Sequence, residues 1–212
     1  MIEDVLSLDT ELFTYLNSLG IPLFDNFWIL LSSKEANIFF YSTVLLFYFY
    51  SKRRKFKFSE LFYVLILIAL MITVTDQTAN LFKDSFQRLR PCYNEMIKDS
   101  LRLVKDSCGG KYGFFSAHAS NSFALAIFFG LLCKNRFKYL IYISLFYASL
   151  ISYSRIYLGV HFPLDIFFGT TFGIIIGILT FKFYEKNLYS FNFFNKSLLI
   201  IFILIIFYIR NI

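Results

Sequence analysis

Two histidines, three cations and one aspartate are spaced so that they could do chemistry together. In "SRIYLGVHFPLD", Ser154 to Asp165, an Arg, a His and an Asp stand between apolar stretches. Pro163 suits the first turn of a helix, so His161 sits at a helix mouth and Asp165 lies one turn inside. From there the carboxylate can accept a hydrogen bond from one ring nitrogen. That fixes the tautomer and leaves the other nitrogen as a nucleophile. Arg155 is the obvious partner for an anion; the alternative is a structural Asp165–Arg155 pair beside an idle His. In "FFSAHASNSFA", Ser116 can N-cap the next helix, with Ala117 and His118 in its first turn. Bare amides and the positive dipole end make such a terminus an anion site; the plain alternative is a cap beside an interfacial His. In "DQTANLFKDSFQRLRP", Asp76, Asn80 and Lys83 share a helix face. Arg90 joins them if the helix continues to Pro91. Taken alone, these cations could simply snorkel to an interface. The chain holds only two His, each opening an apolar stretch. Three cations and two helix N-termini in one layer suit a group with two or three negative oxygens, which is phosphate.

The elements that carry these residues are apolar. The 212 residues are 58% hydrophobic and 22% aromatic, with mean hydropathy +0.61. A soluble helix needs a polar face, which most of these stretches lack. Spans are expected at 36–51, 59–81, 117–133, 137–157, 162–182 and 196–211, the first and last being short for a bilayer. Residues 4–19 read as an amphipathic interfacial helix, with Val5, Leu8, Leu12, Tyr15, Leu16 and Leu19 on one face and Asp9 and Glu11 elsewhere. The expected fold is therefore all-α, a single domain over 1–212. It comprises an interfacial N-terminal region (1–35), a six-transmembrane helical bundle (36–211) and an outer loop (82–116). The acidic N-terminus does not read as a signal peptide.

Net charge is +7, but the basic residues cluster between spans. "KRRKFK" (52–57), "KNRFK" (134–138) and Lys182, Lys186 and Lys196 fall on one side, which the positive-inside rule makes cytoplasmic. Anionic headgroups explain them better than nucleic acid does. Every candidate catalytic residue then lies at the opposite, outer face.

Together the three stretches resemble the type 2 phosphatidic acid phosphatase family, integral membrane lipid phosphatases. "KDSFQRLRP" (83–91) and "SRIYLGVHFPLD" (154–165) match its first and third motifs in full. "FSAH" (115–118) matches the second at Ser116 and His118, with Phe115 for Pro and Ala117 for Gly. Ala117 would be strained if its φ had to be positive. The resemblance implies that His161 attacks phosphorus, Asp165 orients it, and His118 protonates the leaving oxygen. It also implies that Lys83, Arg90, Ser116 and Arg155, with the amide at Ala117, hold the phosphoryl oxygens. Neither a cofactor nor a metal is implied. The implied setting is a bacterial inner membrane with the site facing the periplasm, and the implied partners are bilayer lipids and a lipid phosphate. Undecaprenyl diphosphate is the favoured substrate, with lipid A or phosphatidylglycerol phosphate as alternatives and a non-catalytic phospholipid-binding or transport protein as the contrasting class. Lys98, Arg102, Lys105 and Lys111 in the loop 92–115 are expected to tune that choice. Cys92 and Cys108 share the outer loop, where an oxidising compartment allows them to pair; two free thiols are the alternative.

Overall fold

A computed structural model describes residues 2–52, 57–104 and 108–187. They form seven α-helices: α1 (Ile2–Ser18), α2 (Asp25–Leu31), α3 (Lys34–Ser51), α4 (Phe58–Phe86), α5 (Ala117–Leu132), α6 (Leu140–Tyr157) and α7 (Pro163–Asn187). The expected span 196–211 lies outside the described residues. Helices α4 and α7 are long and apolar enough to cross a membrane. Much of their surface, and that of α3 and α6, is exposed and oily: Phe39, Leu46, Phe62, Tyr142, Phe146, Phe167 and Leu179 all face outward. A hydrocarbon environment tolerates such faces, whereas water would penalise them.

Helix α5 is the exception. Its 16 residues span about 24 Å, less than a hydrocarbon core, and most of them are buried. It is the central post, packed against α7, α6 and α4. Close approach to α7 depends on Gly169, Gly173 and Gly177, one turn apart on a single stripe. A Cβ at Gly169 would stand 2.5 Å from the Ser116 carbonyl and one at Gly177 2.7 Å from the Ala124 carbonyl, with Gly173 equally tight against Ser120. Small residues at this repeat let two backbones touch. The Ser116 amide also donates to the Asp165 carbonyl at 3.0 Å. The N-terminal ends of α5 and α7, which carry His118 and Asp165, are thereby pinned side by side.

One expectation is corrected and one is extended. Helix α4 runs to Phe86, five residues past the expected 81, and carries Lys83 on it as expected. It then stops: Gln87 adopts φ 48° and its amide closes on the Lys83 carbonyl at 2.9 Å. This left-handed cap ends the helix before Arg90. The N-terminal helix does more than rest at an interface. Val5, Leu8, Leu12, Tyr15 and Leu19 are exposed, but Asp9, Phe13 and Asn17 are buried against α6 and α7. These three, at i, i+4 and i+8, form one inward face.

At the far end of the bundle lies a second polar cluster. Glu60 of α4 accepts hydrogen bonds from the Tyr48 hydroxyl at 2.9 Å, the Tyr184 hydroxyl at 2.7 Å and Lys52 Nζ at 2.6 Å. Lys52, Lys134 and Arg136 lie at this end, with Arg136 donating to the Ser51 carbonyl at 2.7 Å.

Candidate active site

The α6–α7 connection delivers the imidazole. Asp165, in the first turn of α7 begun by Pro163, is wholly buried, and His161, just before that helix, is 2% exposed. His161 Nδ1 stands 3.3 Å from Asp165 Oδ2, and the Phe162 amide donates to the same oxygen at 3.0 Å. The Gly113 backbone is also within hydrogen-bonding reach of the ring. With a carboxylate and a backbone acceptor on that side, Nδ1 carries the proton and Nε2 keeps its lone pair. Burial, then the charges of Arg90, Arg155 and Lys83, hold this imidazole well below its ordinary range, so it stays neutral.

Arg90 arrives by a different route from the expected one. After Gln87 the chain is extended: Leu89 pairs with Tyr112, the Arg90 amide donates to the Lys111 carbonyl at 3.1 Å, and the Gly113 amide donates to the Arg88 carbonyl at 2.9 Å. Residues two apart in an extended chain point the same way. Arg88 and Arg90 therefore both turn toward Asp165. Arg90 is held by the Tyr112 carbonyl at 3.2 Å and the Cys108 carbonyl at 2.9 Å. Cys108 is in turn disulfide-bonded to Cys92, with Cα atoms 6.2 Å apart. Gly113 leaves the room for this arrangement: a Cβ there would lie 3.1 Å from both Arg90 Cγ and Asp165 Oδ2.

Arg155, from the last turn of α6, does not pair with Asp165 as the structural alternative required. Its Nη1 donates to Ser32 Oγ, and its buried Nε has no hydrogen-bond partner among the described residues. An orphaned buried donor costs about 1–3 kcal/mol, which an anion would relieve. Lys83 donates to Asn80 Oδ1 at 3.4 Å, while Asp76 is engaged by Asn121 of α5 at 2.8 Å. Ser116 caps α5, its hydroxyl accepting from the Ala119 amide at 3.5 Å. Ala117 is unstrained, because Gln87 is the one non-glycine residue with positive φ among those described. Phe115 fills the space of the expected Pro by packing on Phe82 and Phe172, each at 5.3 Å between ring centroids. His118 lies within charge range of His161, Arg155, Arg90 and Lys83.

The structure thus gathers His161, Asp165, His118, Ser116, Ala117, Lys83, Arg90 and Arg155 at one end of the bundle. Lys83, Arg90 and Arg155 take part in no ion pair among the described residues. Such a pocket suits a multiply charged anion beside a neutral imidazole. Among the described residues no group of three or more His, Cys, Asp or Glu gathers to hold a metal ion.

Sequence reading missed Arg88 and Asp9. Arg88 Nη1 donates to Asp165 Oδ1 at 2.8 Å, and its Nη2 donates to Asp9 Oδ2. The signal was present in the R-L-R spacing, once the helix is known to stop at Gln87. The loop cations expected to tune substrate choice are partly committed elsewhere. Arg102 pairs with Asp25 and Lys98 with Glu95. Lys111 is exposed, and Lys105 lies outside the described residues.

The PAP2 superfamily model matches residues 60–189. The chain is 35% identical over 184 residues to a lipid A 4'-phosphatase of Porphyromonas gingivalis, covering 86% of this chain and 75% of that protein. It is 35% identical over 175 residues to a lipid A 4'-phosphatase of Bacteroides thetaiotaomicron, covering 82% and 75%. The fold matches the crystal structure of Aquifex aeolicus LpxE at TM-score 0.59 and 29% identity, over 81% of this chain and 93% of that one. It also matches a transmembrane phosphatidylglycerolphosphate phosphatase of Bacillus subtilis at TM-score 0.66 and 20% identity, over 91% and 90%.

Proposed function

The chain belongs to the PAP2 superfamily and is an integral membrane phosphatase of a lipid phosphate; from that premise we propose that it removes a phosphate from lipid A through a phosphohistidine on His161. The substrate rests on the two 35%-identical relatives, both lipid A 4'-phosphatases. They favour lipid A over the undecaprenyl diphosphate expected from the sequence. The observation that carries the mechanism is the meeting of Arg90, Arg155 and Lys83 around one buried neutral imidazole.

In this reading the phosphoryl oxygens lie among Lys83, Arg90, Arg155 and the free amides at the start of α5. These donors are fixed in advance and stabilise charge as it develops. The Nε2 lone pair of His161 attacks phosphorus. The P–O bond to the lipid breaks, its electron pair leaves with the lipid oxygen, and His118 supplies that oxygen's proton. Asp165 balances the positive charge on the phosphorylated ring. In the second half a water attacks phosphorus, its proton passes to His118, and the P–N pair returns to His161. No step needs redox chemistry.

Membrane side follows from charge. Lys52, Lys134 and Arg136 lie at the Glu60 end, opposite His161, so the positive-inside rule turns the site outward. In a bacterial inner membrane that is the periplasmic face, where an outer-leaflet lipid presents its phosphate. The test is a substrate panel of lipid A, undecaprenyl diphosphate and phosphatidylglycerol phosphate with purified protein. Phosphate release from lipid A at a kcat/KM at least about tenfold above the others is expected, a gap of roughly 1.4 kcal/mol. Preference for undecaprenyl diphosphate would overturn the substrate and leave the chemistry standing.

A further inference from the structure

Building on the reading of His161 as nucleophile, we propose that Asp9 of the N-terminal helix and Arg88 are positioning residues that set the Asp165–His161 pair. Arg88 is shared between two carboxylates: Nη1 reaches Asp165 Oδ1 at 2.8 Å and Nη2 reaches Asp9 Oδ2. Its guanidinium also lies 4.4 Å from the centroid of the Phe162 ring, which Phe13 of α1 packs at 5.1 Å. Asp9 uses its other oxygen to accept the Leu164 amide at 2.8 Å. The group is held from α1, from the extended segment after α4 and from the first turn of α7.

The division of labour follows from the atoms. Arg88 occupies Oδ1 of Asp165 and so leaves Oδ2 for His161 and the Phe162 amide. Without it a buried carboxylate would have one unsatisfied oxygen and would turn toward another donor. Arg90 is the cation at hand, its charge already bearing on Asp165. Such a turn would break the imidazole contact that aims Nε2 of His161. Asp9 prevents a second failure. It neutralises Arg88 and fixes it in a fork that lysine cannot reproduce.

Docking of α1 does not explain Asp9. Asn17 already anchors that helix: its Nδ2 donates to the Ile156 carbonyl at 3.0 Å and the Arg102 carbonyl at 3.0 Å, and its Oδ1 accepts the Arg102 amide at 2.8 Å. A buried charge on a helix whose oily residues face outward is an expense that packing does not call for. The N-terminal helix is therefore a working part of the active site.

The experiment uses the full chain in lipid A turnover, with Asp9→Asn, Arg88→Lys and the double variant beside wild type and His161→Ala, each with its thermal melting curve. Asp9→Asn and Arg88→Lys should each lower kcat per folded enzyme about 10- to 100-fold with KM within about twofold, as expected for a misplaced catalytic group. The double variant should be no worse than Arg88→Lys, because both act through one chain of contacts. An unchanged kcat in folded Asp9→Asn, or a KM rise with kcat intact, would overturn the proposal. Should Asp9→Asn fail to fold, Arg88→Lys alone decides by the same criteria. Full turnover in His161→Ala would instead remove the nucleophile on which the proposal stands, so the two failures are distinguishable.

Discussion

The two ends of this bundle bury charge for opposite purposes. At the Glu60 end, Glu60, Lys52, Tyr48 and Tyr184 satisfy one another: one carboxylate, one ammonium and two hydroxyls within hydrogen-bond distance. At the His161 end Asp165 and Asp9 are consumed by Arg88, while Lys83, Arg90 and Arg155 remain without an ion pair among the described residues. The first cluster is closed and needs nothing from outside. The second is short of negative charge beside a neutral imidazole. A closed polar cluster braces a fold, whereas an open one is poised for a ligand, because its unmatched donors cost stability until an anion arrives. Burial and hydrogen-bond counts alone would not separate them; the charge balance does.

That contrast can be broken most severely at His161. Replacing it with Ala should lower turnover by ~10⁴-fold or more while leaving the melting temperature unchanged or raised, measured on the same preparation. Next, Arg155→Ala should lower kcat/KM by ~10²–10³-fold. No stability should be lost, since the orphaned Nε disappears with the side chain. At the closed end the pattern should invert. Glu60→Gln leaves Lys52 without its carboxylate and should cost about 3 kcal/mol of stability by chemical denaturation, with kcat per folded molecule unchanged. Loss of activity without loss of stability at Glu60 would erase the distinction.

The smallest expected effect is on pH. The folded His161 titrates well below its ordinary 6.5. As pH falls below that value the unfolded chain takes up a proton that the folded chain refuses. Stability therefore declines from there until the folded pKa is reached, and it is fully present above 6.5. Activity should show no acid limb from His161 near pH 6.5, only one well below it. A kcat/KM profile with a His161-dependent limb near 6.5 would show that the cations do not face the ring.

Much of the site was legible because its geometry is local. Pro163 starts a helix, and i to i+4 spacing brings Asp165 to His161. Ser116 is a side-chain cap whose partner is three residues away. What was not legible depended on where one helix stops. Gln87 in the left-handed region converts a helical repeat, with Lys83 and Arg90 on one face, into an alternating one with Arg88 and Arg90 together. No property of glutamine announces that. Asp9 was passed over for another reason: its partners, Arg88 and the Leu164 amide, lie 79 and 155 residues away in sequence. The Gly169–Gly173–Gly177 stripe lay in plain view, but its meaning came from the Ser116 and Ala124 carbonyls opposite.

The central claim is that phosphate is transferred to His161 in the pocket of Lys83, Arg90 and Arg155. Its most direct test is to mix the protein with lipid A radiolabelled in its phosphate, quench in the steady state, and map the label by peptide. An acid-labile, base-stable phosphate on the peptide bearing His161, absent from His161→Ala, is the expected result. Phosphate release with no labelled protein at any time, or label on another residue, would contradict it.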